Sequence, residues 1–224
     1  MKKFCLASLA VAAMLGTGCN RSNSAASNDT AGTSGRVESG VGMGDRDFVK
    51  DVTRMNAAEI DASRLALDKS SSPDVKKFAQ MMIDDHTAAG AKLSGVAAQN
   101  GIQTPAEPDD AHADLRDKLS RKQGLDFDKD YMDAMVDGHE KFVDKLESRV
   151  DKDTLSKWKG QVAQAPNGDK AKVDMQAQMV VPEKSDDVVT QRLNAWSADT
   201  YPVAYAHLQA AKDLRDLVRK RSTN

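Results

Sequence analysis

The chain has 224 residues, 29% charged and 40% hydrophobic, which suits one globular domain with appendages. Its 32 basic and 34 acidic residues leave a formal net charge of −2, so the charge balance does not point to nucleic acid. Only 4% of residues are aromatic while Met numbers 10, and a core of Ala, Leu, Val and Met suits helices better than sheets.

The chain opens on a targeting signal. Lys2 and Lys3 precede an apolar run over residues 4–15, and small residues then lead into Cys19. About a dozen apolar residues are too few for a transmembrane helix, which needs roughly 20. The run therefore reads as an export signal over residues 1–19. Leu-Gly-Thr-Gly before Cys19 resembles a bacterial lipoprotein cleavage site, although Leu15 stands four places before the cysteine rather than three. Cys5 lies inside the signal, so Cys19 would be a lone thiol in an exported chain, and lipidation would account for it. Ordinary secretion into the periplasm is the alternative. Asn20 after the cysteine resembles an outer-membrane sorting residue. The expected setting is the periplasmic side of the bacterial envelope, with the membrane held through an N-terminal lipid.

Residues 20–44 are rich in Ser, Gly, Asn, Ala and Thr and read as a disordered tether. About 25 such residues have a root-mean-square reach of roughly 25–30 Å. The helical domain is expected over residues 45–221. Its first long helix spans about 45–69, with Phe48, Val52, Met55, Glu59, Ala62 and Ala66 on one stripe. A competing stripe through Val49, Asn56, Ile60 and Leu67 would leave Glu59 on the flank.

Ser72, Pro73 and Asp74 supply a cap, a first-turn proline and a first-turn acid for a second helix, which closes near Asn100-Gly101. Its seam runs through Val75, Phe78 or Ala79, Met82, His86, Ala89, Leu93 and Val96. The short link makes the first two helices antiparallel neighbours. Pro105 and Pro108 then interrupt the chain, and residues 109–122 read as a short crossover helix carrying a solvated His112.

The third long helix opens near Asp126. Met135-Val136-Asp137-Gly138-His139 repeats Met82-Ile83-Asp84-Asp85-His86 at a distance of 53 positions, and Phe78/Tyr131, Lys92/Lys145 and Leu93/Leu146 align with it. In both copies Met and His stand four apart, one turn from each other on a shared face. Residues 151–184 read as an insertion in which Trp158 and Val162 could prolong the helix and residues 171–180 could form a short one. The last long helix is expected to start with Ser185 as its cap. Its seam is Val189, Leu193, Trp196, Thr200, Val203, His207, Ala210, Leu214 and Leu217, with a bend at Pro202.

Each long helix thus carries one polar residue on its seam: Glu59, His86, His139 and His207. By rise per residue Glu59 and His86 could share a layer. A carboxylate and three imidazoles converging in a bundle core could hold iron, copper or zinc, and Met82 and Met135 could add thioethers suited to Cu(I) or to haem. A histidine on an apolar seam can equally be a core residue hydrogen-bonded to Tyr131, Tyr201, Tyr205, an aspartate or a carbonyl. There is no Ser/His/Asp arrangement and no phosphate-cradling glycine loop to suggest catalysis.

Phe48-Val49, Ala58-Glu59, residues 73–79, the two Met-to-His segments, Tyr131-Met132, and Pro202 followed by Ala206-His207-Leu208 together resemble one bacterial envelope family, called domain of unknown function 4142. The resemblance spans residues 47–217. It implies a ferritin-like, antiparallel four-helix bundle, all-α, with the crossover helix between the second and third long helices. It brings no established activity or ligand. Ferritin-like di-iron proteins carry Glu three places before His on two helices, and here those places hold Ile83 and Val136. The expected function is a non-enzymatic structural, stress or interaction role in the envelope; the alternative is a metal- or haem-binding bundle using the core histidines.

Overall fold

The computed structural model describes residues 40–105, 109–164 and 180–221. The export signal, Cys19 and nearly all of the tether lie outside them. The described helices belong to one unit, Ser39–Asn224, and no strand forms among the described residues. The helices are α1 (Met43–Lys69), α2 (Pro73–Gln99), α3 (Asp110–Ser120), α4 (Gly124–Glu147), α5 (Lys152–Gln164) and α6 (Val188–Arg221). Met43 and Gly44, expected at the end of the tether, already lie in the first turn of α1. No helix among the described residues is long and apolar enough to cross a membrane.

The local signals explain most boundaries. Ser72 caps α2 by accepting from the Val75 amide, with Pro73 at the first helical position. Gly101 at φ 64° follows Asn100 and ends that helix, a conformation that favours glycine. Asp109 caps α3 by accepting from the His112 amide. Gly124, expected to break the crossover helix, instead turns the chain at φ 58° and begins α4 two residues before Asp126. The cap at the start of α6 is not Ser185: the Thr190 amide donates to Asp187 Oδ1 at 2.8 Å, while Ser185 Oγ accepts from the Asp187 amide one step earlier.

The long helices pack pairwise, α1 on α2 and α4, and α6 on α4 and α2, while α3 lies on α1 and α4. Both candidate stripes of α1 turn inward, because this helix faces two neighbours: Phe48, Val49, Val52, Asn56, Glu59, Ala62 and Ala66 are all buried. On α6 the seam is shifted. Val203 and Leu217 are exposed, and Tyr201, Ala204, Leu208, Ala211 and Val218 are buried in their place. Pro202 sits inside this helix, where the ring leaves the Ala198 carbonyl without its usual amide.

Residues 151–184 are less of an appendage than their pattern suggests. Helix α4 stops at Glu147, a short antiparallel bridge joins Val150 to Pro182, and α5 starts afresh. Trp158 is fully buried, its ring edge-on to Tyr201 and Tyr205 at centroid distances of 5.5 and 5.3 Å. Most of the short helix expected over 171–180 lies outside the described residues. Near the bridge, Arg149 binds Asp45 at 2.6 Å and lies over the Phe48 ring at 4.2 Å, tying the start of α1 to the end of α4.

Candidate metal centre

The four polar residues predicted on the seams meet. Glu59 of α1, His86 of α2, His139 of α4 and His207 of α6 have relative exposures of 4%, 3%, 0% and 4%. The two copies of the Met-to-His segment carry His86 and His139 to the same level, their ring centroids 5.3 Å apart. His207 completes a nearly equilateral triangle, 5.7 Å from His86 and 5.6 Å from His139. One ring nitrogen from each of the three lies within 4.8 Å of the others.

The hydrogen bonds select the tautomers. Asn56 Nδ2 donates to the His86 carbonyl at 2.8 Å, so its Oδ1 faces the ring and accepts from His86 Nδ1 at 2.9 Å. His139 Nδ1 donates to the Met135 carbonyl at 3.0 Å, one turn back along its own helix. His207 Nε2 donates to Asp85 Oδ2 at 2.9 Å. Each imidazole therefore has one nitrogen held by an outer acceptor, which leaves the lone pair of the other for the interior. His139 Nε2 and His207 Nδ1 are buried with no hydrogen-bond partner. Neither oxygen of Glu59 accepts a hydrogen bond, with Oε2 3.0 Å from His86 Nε2 and Oε1 3.3 Å from His139 Nδ1.

Burial governs the protonation of these groups. It pushes the Glu59 carboxyl well above its ordinary range, because a buried carboxylate loses its hydration. Burial, followed by the fields of His139 and His207, holds His86 well below the ordinary imidazole value. His139 is held down to about 3, by burial first and His207 second, against the opposing bond to the Met135 carbonyl. Burial thus favours the neutral carboxyl of Glu59 and the neutral imidazoles of His86 and His139. Imidazoles held neutral beside a carboxyl that lacks a counter-charge form a site suited to a cation.

The spacing fits one ion. With metal–nitrogen bonds near 2.0–2.1 Å and about 1.1 Å more to each ring centre, imidazoles at tetrahedral angles would have centres about 5.2 Å apart. The observed 5.3–5.7 Å is slightly wider, so the rings would move inward on loading. Glu59 touches two of the histidines but is not a member of the three-nitrogen set. Met82 and Met135 are buried a turn from the histidines, and the Met135 carbonyl accepts from His139 Nδ1.

None of the tyrosines considered as histidine partners fills that role; Tyr131 instead bonds Ser63 at 2.9 Å. Of the aspartates, Asp85 does. Three supporting residues had no role assigned from the sequence. Asn56 was visible as a polar residue on an apolar stripe. Gly90 and Gly138 were visible as glycines inside helices, where they cost about 1 kcal/mol relative to Ala. A Cβ on Gly138 would stand 2.8 Å from Glu59 Oε1, and one on Gly90 would stand 2.6 Å from Asn56 Nδ2. Both glycines make room for the polar side chains that face the histidines. The duplication is broken at this point: where the first copy has Asp85, which holds His207, the second has Gly138, which clears space for Glu59.

No curated protein and no solved structure gives a significant match to the chain. A family profile matches residues 31–166, ending before α6. The matched region holds Glu59 and both copies of the duplicated segment, and the chain belongs to the family described as domain of unknown function (DUF4142).

Proposed function

We propose that this protein is an exported, lipid-anchored, ferritin-like four-helix bundle of the bacterial envelope that holds one transition-metal ion through His86, His139 and His207, with Glu59 as a fourth ligand. The observation that carries the reading is the set of unpartnered atoms in one buried cluster: His139 Nε2, His207 Nδ1 and both oxygens of Glu59. Buried polar atoms left unpaired cost about 1–3 kcal/mol each, and a bound cation would satisfy all of them at once. Nitrogen-rich coordination with one carboxylate suits zinc, copper or iron. Haem fits less well, because a macrocycle between any two of the rings would occupy the place of the third. Export and lipid attachment at Cys19 rest on the charged, apolar and small-residue pattern of residues 1–19.

A second reading has one observation in its favour. Each histidine already has an outer partner, Asn56, the Met135 carbonyl or Asp85, as a histidine in a purely structural core would. Elemental analysis of protein purified without added metal, followed by titration with Zn²⁺, Cu²⁺ and Co²⁺, separates the two. One ion per chain, lost in His86→Ala and His139→Ala, supports the metal centre. A chain that binds none of the three and whose melting temperature they do not raise supports the structural core.

A further inference from the structure

The cluster is buried but not sealed on every side. A cavity of about 220 Å³ lies between α1, α3 and α4. Its lining includes the buried Glu59 and Met135 with Gly138, and His112, Asp137 and Lys141 toward the surface. Small side chains, Ala58, Ala111 and Ala134, make up much of the rest. Glu59 is the only one of the four cluster residues in this lining, and both its oxygens are unpartnered. Asp137, in the second copy of the repeat, places a carboxylate at the mouth, and Lys141 places a cation one turn further along the same face of α4. His112, expected to be merely solvated, is half-buried here and pairs with Asp109 at 2.6 Å.

We infer that this groove is the port through which the ion reaches and leaves the histidines, and that Glu59 at its inner end is the ligand that receives the ion first. The inference rests on the proposed metal centre and adds the direction from which it is loaded. Of the four cluster residues only Glu59 reaches the groove, so an incoming hydrated cation meets its carboxyl oxygens before the nitrogens of His86, His139 and His207. The ion would then shed water as His86 and the other nitrogens take its place. Gly138 is a positioning residue in this scheme: a side chain there would push Glu59 Oε1 from its place and narrow the groove. Opposite, Asp85 occupies the equivalent position of the first repeat and fixes His207, so that side is committed to holding a ligand.

The test plugs the groove from two walls. Ala111→Trp acts from the exposed first turn of α3, and Ala134→Met acts from α4. Asp114→Trp, on an exposed position of α3 outside the lining, serves as the control for added bulk. Full-length protein is first titrated with Co²⁺ at equilibrium; association is then followed by stopped flow, and release by transfer to excess EDTA. Circular dichroism confirms native helicity for each variant. The expected result is that both plugs slow association and release by a similar factor, at least about tenfold, with affinity unchanged, while the control matches wild type. Wild-type rates in both natively folded plugs would overturn the port, as would weakened affinity with unaltered association. If the wild-type chain takes up no Co²⁺ in the equilibrium titration, the metal centre itself fails, a result distinct from a working centre loaded by another route.

Discussion

If His139 is present for binding rather than for folding, replacing it with an apolar residue of similar size should stabilise the metal-free protein. His139 is fully buried, Nε2 has no partner, and Nδ1 bonds a carbonyl that the His139 amide can still satisfy within the helix. His139→Leu removes one orphaned buried polar atom, worth about 1–3 kcal/mol. At about 2–4 °C per kcal/mol for a chain of this size, the melting temperature in EDTA at pH 7 should rise by roughly 2–12 °C. Acid should widen the gap. The folded imidazole titrates at about 3 against an ordinary 6.5. Above about pH 6.5 neither state binds this proton, and between 6.5 and 3 the unfolded chain binds it and the fold does not. Wild-type stability from this group is therefore lost as pH falls through that window, by about 2 kcal/mol between pH 7 and pH 5. His139→Leu abolishes this loss, so its advantage over wild type should grow by about 2 kcal/mol over the same interval. Glu59 works in the opposite sense, because its raised value makes the fold lose stability as pH rises above the ordinary 4.5. It is present in both proteins, and the difference between them removes its contribution to first order. Urea unfolding followed at 222 nm in EDTA at the two pH values measures all of this. A variant less stable than wild type at pH 7, or a difference independent of pH, would refute the assignment of His139 as an unsatisfied ligand.

Removing the acceptor of an imidazole should weaken metal binding without emptying the core: Asp85→Ala, which frees His207 Nε2, should raise the dissociation constant for Zn²⁺ about 10–100-fold in a competition titration. Gly90→Ala places a Cβ 2.6 Å from Asn56 Nδ2 and should displace Asn56 from His86, lowering metal-free stability by about 1–3 kcal/mol in urea and weakening Zn²⁺ binding as well. Gly138→Ala meets only the mobile end of Glu59, so its effect on unfolding should stay within about 1 kcal/mol while affinity falls about tenfold. Tyr131→Phe leaves Ser63 Oγ without its partner at 2.9 Å and should cost about 1 kcal/mol in the same unfolding assay, with no change in metal affinity.

The sequence by itself determined the long helices and the three histidines of the cluster. Apolar residues at spacings of three and four marked each stripe, and Ser72-Pro73 and Asn100-Gly101 punctuated α2 where they were expected to. The 53-residue repeat put His86 and His139 in equivalent places, so their meeting needed only that two like helices pack in one core. Boundaries were less legible where several cap residues competed, as with Ser185 and Asp187, because adjacent side chains offer the same hydrogen bond and packing selects between them.

Tertiary structure decided what pattern alone left open. A helix flanked by two neighbours buries a wide face, so both stripes of α1 point inward and the position of Glu59 followed from packing on α2 and α4 rather than from periodicity. The shift of the α6 seam has the same origin: α2, α4 and the Trp158 cluster jointly set its rotation, leaving Val203 and Leu217 in solvent. Asn56, Gly90 and Gly138 acquired roles only when residues 30 to 79 positions apart came into contact, since what a glycine leaves room for lies on another helix. Helical period is a local property of the chain, whereas which buried oxygen or nitrogen goes unpaired depends on three other helices at once, and that dependence is what creates the candidate ion site.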